Sequence, residues 1–98
     1  MRLTVVAAVT ALLLLIPASA RATLRDCDIQ ATNTATISSA RDMSCARAAK
    51  EMRDYKGQIS RRFHTPAKFT CTRQSGGQFG GQWRCVHANK AFRFEFRD

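Results

Sequence analysis

Four cysteines, two histidines, a glycine-rich loop and a surplus of arginine are the residues of this 98-residue chain that could do chemistry. Cys27, Cys45, Cys71 and Cys85 form an even set, separated by 17, 25 and 13 residues. No C-x-x-C pair occurs among them, so the spacing indicates neither a redox centre nor the paired ligands of a structural zinc site. Cys45 falls in the first turn of a predicted helix, where a free thiol would ionise more readily. An even cysteine count in a short chain instead reads as two structural cystines. His64 and His87 lack acidic neighbours at motif spacing, and neither H-E-x-x-H nor G-x-S-x-G is present. They read as surface or strand-end histidines. No catalytic residue, metal ligand or cofactor is assigned, and the chain reads as non-enzymatic.

The run Gly76-Gly77-Gln78-Phe79-Gly80-Gly81 resembles a phosphate loop only in composition. It lacks the closing lysine and hydroxyl residue and leads into a strand, whereas phosphate cradles lead into helices. It is expected to be a hairpin tip. Phe79, an aromatic among glycines, has little to bury against and is a candidate contact for a partner or a lipid.

Charge is the strongest compositional signal. The chain carries 16 Lys and Arg against 7 Asp and Glu, a net charge of +9. Loss of Arg2 with a leader would leave 15 against 7, 11 of the 15 being arginine. Such a surface favours anionic partners, although strong net charge also serves solubility. Arg84, Arg93 and Arg97 are expected on the outward face of a sheet, with Lys68 and Lys90 nearby. Together with Phe79 they form the candidate binding face. Arg61 and Arg62 fall in the preceding connector. Because the phenylalanines alternate away from the arginines, the pattern does not suit base stacking. No specific nucleic-acid binding is expected, beyond nonspecific attraction at low salt.

The elements that must position these residues follow from periodicity. Residues 1–20 combine Arg2, an apolar run over 3–16 and the small-residue site Pro17-Ala18-Ser19-Ala20, the order of a cleaved signal peptide. A second A-x-A at Ala20-Arg21-Ala22 allows cleavage after Ala20 or Ala22. The apolar run is too short for a stable membrane span, so none is expected after cleavage. Residues 21–26 read as a disordered lead and 27–98 as one disulfide-stapled domain. Residues 27–37 alternate weakly and suggest a ragged edge strand, with a turn at 38–42.

Ser44 reads as an N-cap, with Met43 and Ala48 at the spacing of a hydrophobic staple. Cys45, Ala48, Ala49, Met52 and Tyr55 then mark one face of a helix over 45–56, with Gly57 as its stop. Residues 59–66 read as a basic connection. Phe69 and Cys71 share a strand face, as do Trp83, Cys85 and His87, and a hairpin centred near Gln78 would set Cys71 roughly opposite Cys85. Phe92, Phe94 and Phe96 alternate with Arg93, Glu95 and Arg97, the period of a half-buried antiparallel strand. The expected fold is small α+β: one helix packed on a three- to four-stranded antiparallel sheet, ordered β-α-β-β-β, with two disulfides. Its core would be Met52, Tyr55, Phe69, Trp83, Phe92, Phe94 and Phe96. Three cysteine pairings remain open. Tying the helix and the N-terminal segment to the sheet favours Cys45–Cys85 with Cys27–Cys71, and Cys27–Cys45 with Cys71–Cys85 stands close behind.

From Met43 onward the chain resembles a group of small exported cystine-containing proteins of high-GC Gram-positive bacteria. The elements carrying the resemblance are Ser44-Cys45-Ala46-Arg47-Ala48, Phe69-Thr70-Cys71, the glycine loop 76–81, Cys85 and Phe92-Arg93-Phe94. The first departs from the group's Ser-Cys-x-x-Ala-Arg pattern in placing Arg47 before Ala48. The group carries no established activity, so the resemblance implies export and fold and assigns no functional residue. The expected function is a secreted, basic, non-enzymatic binding module for an anionic envelope polymer or a protein. A cationic membrane-active effector and a secreted inhibitor or structural protein are the alternatives. Oligomeric state is not indicated.

Overall fold

A computed structural model describes residues 23–77 and 79–98. The expected signal peptide and its cleavage sites lie outside the described residues, as does Gln78. The elements are β1 (Leu24–Gln30), β2 (Ala35–Arg41), α1 (Cys45–Asp54), β3 (Arg62–His64), β4 (Thr70–Gly77), β5 (Gly80–His87) and β6 (Lys90–Arg97). The strands form one antiparallel sheet of six, in the order β1-β2-β6-β5-β4-β3. One helix on an antiparallel sheet with two disulfides is the expected architecture, but the sheet has six strands rather than three or four.

The extra strands come from three stretches that look irregular as sequence. β1 begins at Leu24, inside the stretch read as a disordered lead, and pairs Leu24 with Arg41. Residues 27–37 are not one strand: the chain reverses between Gln30 and Ala35, where Thr32 Oγ1 accepts from the N–H groups of Thr34 and Ala35. The expected turn at 38–42 is strand up to Arg41. The register slips between Ile37 and Ser39, so Ala35, Ile37 and Ala40 all face the core despite their uneven spacing. A bulge inserts one residue and resets the alternation. Here it hides the strand from a period-2 reading. β3, within the expected basic connection, pairs Phe63 with Cys71 and buries the Phe63 ring.

The helix starts as expected. Ser44 Oγ accepts from the Arg47 N–H at 3.0 Å, satisfying one orphan donor of the first turn. Met43 and Ala48 are both buried. It ends earlier than expected, at Asp54, with Tyr55 in an extended conformation. Gly57 is not a left-handed stop. A Cβ there would collide with the Tyr55 ring, and the Tyr55 hydroxyl donates to the Gln58 carbonyl at 2.6 Å.

Among the described residues, helix and connector cover one face of the sheet. α1 packs on β1 and β2, and the connector after it lies over β5, where Trp83 Nε1–H donates to the Ser60 carbonyl at 2.9 Å. Between them Ile37, Phe69, Trp83, Phe92 and Phe94 are essentially fully buried, each contributing about 1.5–3 kcal/mol. Trp83 stacks on Phe94, and Phe69 tilts against Phe92. Tyr55 and Phe96, expected in the core, are only half-buried against it. The buried Glu51 accepts from the Ala67 N–H at 2.7 Å, tying helix to the β3–β4 turn.

The disulfides are Cys27–Cys45 and Cys71–Cys85, which corrects the favoured pairing. Three strands separate β1 from β4, so Cys27 and Cys71 stand roughly 19 Å apart at about 4.8 Å per strand. A disulfide needs Cα atoms within about 7 Å. Cys71 and Cys85 instead face each other across the β4–β5 ladder, and Cys27 on β1 lies beneath the first turn of α1.

Candidate functional site

The face that the described elements leave open carries Arg41, Arg62, Arg84, Arg93 and Arg97. Cross-strand partners share a face, so the register defines its rows. One row runs across all six strands as Asp26, Ser39, Arg93, Arg84, Thr72 and Arg62. The next runs Leu24, Arg41, Ala91, Val86, Thr70 and His64. Arg84 and Arg93 are therefore directly opposite, on the two strands that share the centre of the sheet. Both are exposed, as is Arg41.

These side chains surround a shallow cleft of about 330 Å³ lined by Ser39, Ala91 and the buried Phe92 together with Arg41, Arg84, Arg93, Asp26 and Leu24. Among the described residues the ion pairs are Lys50–Asp54 on the helix and Arg97–Glu95 on β6. None involves the three cleft arginines, although Asp26 stands on the rim. Like charges directly opposite on a sheet cost about 0.2–1 kcal/mol. Three guanidinium groups without an ion pair around this cleft present N–H donors to the accepting oxygens of a carboxylate or phosphate.

The candidates are only partly brought together. Arg84 and Arg93 converge. Arg97 lies on the same face but beyond Glu95, to which it is bonded at 3.6 Å, and it borders a separate depression of about 230 Å³ with Asn33, Thr34 and Thr36. Lys68 precedes β4 in the β3–β4 connection and Lys90 opens β6, both at the Arg41 end of the sheet, and Lys90 pairs with His87 at a helix-side register position. Neither lysine lines the cleft. Phe79 is 72% exposed at the opposite end, on the β4–β5 hairpin. The glycine run is a ladder up to Gly77–Gly80. Gly76 has φ 94°, and a Cβ on Gly76 or Gly81 would strike the facing backbone, so these two glycines permit the close approach of the strands. His64 and His87 fall on opposite faces of the sheet and make no joint site.

Arg41 and Arg62 were not assigned to the face from sequence, because their segments read as turn and connector. The slipped apolar spacing Ala35, Ile37, Ala40 is the signal that would have placed Arg41. Compared with protein-family models, curated proteins and solved structures, the chain finds no match in any of the three, and the arginine-lined face stands on its own geometry.

Proposed function

We propose that this chain is an exported, non-enzymatic binding module that holds an anionic component of the cell envelope on the open face of its sheet. The observation that carries the reading is the direct opposition of Arg84 and Arg93, with Arg41 beside them, around a cleft that supplies them with no ion pair. An arrangement that costs stability and leaves charge unpaired is what an anion-receiving surface requires. The two disulfides fit an oxidising compartment, in keeping with export. No described helix is long and apolar enough to cross a membrane.

The membrane-active alternative has a weaker basis. It needs an apolar patch beside the positive one, and among the described residues the exposed large apolar side chains are Leu24, single at the rim of the cleft, and Phe79, at the opposite end of the sheet. The test is retention of an anionic component from solubilised envelope by the immobilised oxidised protein at about 0.15 M salt, where exposed charges beyond about 8 Å are screened. The Arg84→Ser/Arg93→Ser variant should retain none. Equal retention by the variant ends this reading. Leakage of anionic vesicles by the wild-type protein would replace it with the membrane-active one.

A further inference from the structure

We infer that the ligand is an extended acidic polysaccharide lying perpendicular to the strands, along a track that starts in the cleft at Arg41, passes Arg93 and Arg84 and ends at Arg62. The inference deepens the anion-binding reading and rests on it. The track is a product of register. Arg93, Arg84, Thr72 and Arg62 occupy one unbroken row over β6, β5, β4 and β3, and Arg41 lies on the adjoining strand one row away. From β2 to β3 the row crosses four inter-strand gaps, roughly 19 Å at about 4.8 Å each. That length exceeds what a single small anion can touch. Beyond Arg41 the row closes on Asp26, whose like charge repels a polyanion and marks the end of the track.

The chemistry of the face selects among polyanions. Guanidinium groups bind carboxylate and phosphate alike through two parallel hydrogen bonds, so the choice rests on the groups around them. Ser39, Thr72, Thr70 and Gln82 stand between or beside them on the same face, offering hydroxyl and amide partners to sugar hydroxyls. No phenylalanine, tyrosine or tryptophan is among the described outward positions of the ladder, so the face lacks the stacking platforms with which proteins hold single-stranded nucleic acid.

The test uses oligogalacturonates of increasing length, from dimer to decamer, titrated into the oxidised protein at low salt. Affinity should rise with length and level off once the oligomer spans the track. Arg62→Gln should weaken the decamer about three- to fivefold, the scale of one exposed ion pair, and leave the dimer unchanged. Arg84→Gln should weaken both. Asp26→Asn should tighten both. Thermal melts of each variant confirm folding. If Arg84→Gln weakens binding but Arg62→Gln does not, the track is wrong and the anion cleft stands. If neither variant matters, the anion-binding reading itself fails. Tighter binding of polyphosphate or of single-stranded DNA than of the galacturonate decamer overturns the polysaccharide assignment.

Discussion

Reversing one charge of the central pair should make this protein more stable while removing its proposed binding. In Arg84→Glu the directly opposed Arg84 and Arg93 become an attractive cross-strand pair. Two unit charges about 6 Å apart in a water-like dielectric interact by roughly 0.7 kcal/mol. Reversal changes repulsion to attraction, a swing of about 1.4 kcal/mol at low salt that screening reduces by roughly half at 0.15 M. The lower strand preference of glutamate takes back a few tenths, leaving a net gain of about 1 kcal/mol. For a domain of this size that is a rise in Tm of about 4–8 °C. Arg84→Gln, which removes repulsion without adding attraction, should gain about half as much. Thermal unfolding of the oxidised protein, followed through the buried Trp83 at low and high salt, reads all three. An Arg84→Glu protein no more stable than Arg84→Gln at low salt, or one whose gain is indifferent to salt, would show that the two guanidinium groups do not feel each other.

Three further outcomes follow from the geometry. The half-buried Cys27–Cys45 bridge should be reduced and alkylated well before the fully buried Cys71–Cys85 bridge, which mass spectrometry under graded reductant would resolve. Simultaneous loss would mean that the sheet opens before either bridge is reached. Burial raises the Tyr55 pKa above its ordinary 10.0, and its hydroxyl donates to the Gln58 carbonyl. The stability this contributes is complete below pH 10 and is lost as pH rises through the raised value. Tyr55 is the only tyrosine, so phenolate absorbance should titrate above 10 in the folded protein and at about 10 in denaturant. An unchanged midpoint in denaturant contradicts the assignment. Ala88, at φ 54° in the β5–β6 turn, holds a left-handed conformation that costs a residue with a Cβ about 1–2 kcal/mol. Ala88→Gly should therefore raise the urea midpoint, and a fall would place the strain elsewhere.

Much of the fold was legible because it rests on local chemistry. The N-cap at Ser44, the alanine-lined helix face, the Phe92-Phe94-Phe96 strand and the opposition of Cys71 and Cys85 across a hairpin all depend on residues close in sequence. Period and capping report such elements directly. The bulge at Ser38 did not show, because an inserted residue scrambles the alternation by which a strand is recognised. With it went β2 as a separate strand and the place of Arg41. β3 is too short, and too rich in charge, to carry a pattern of its own. It exists because Phe63 has Cys71 to pair with and a core to enter.

The composition alone determined that this is a small, strongly basic chain needing cystines to supplement a limited core. The order of residues 92–97 determined that arginines and phenylalanines would part to opposite sides of the last strand. Which arginines meet was decided only by tertiary structure. Side-chain convergence on a sheet depends on strand order and register, both set by long-range pairing. By placing β6 between β2 and β5, the fold brought Arg41, Arg84 and Arg93 around one cleft. The same strand order settled the disulfides, since it holds Cys27 and Cys71 farther apart than a bridge can reach.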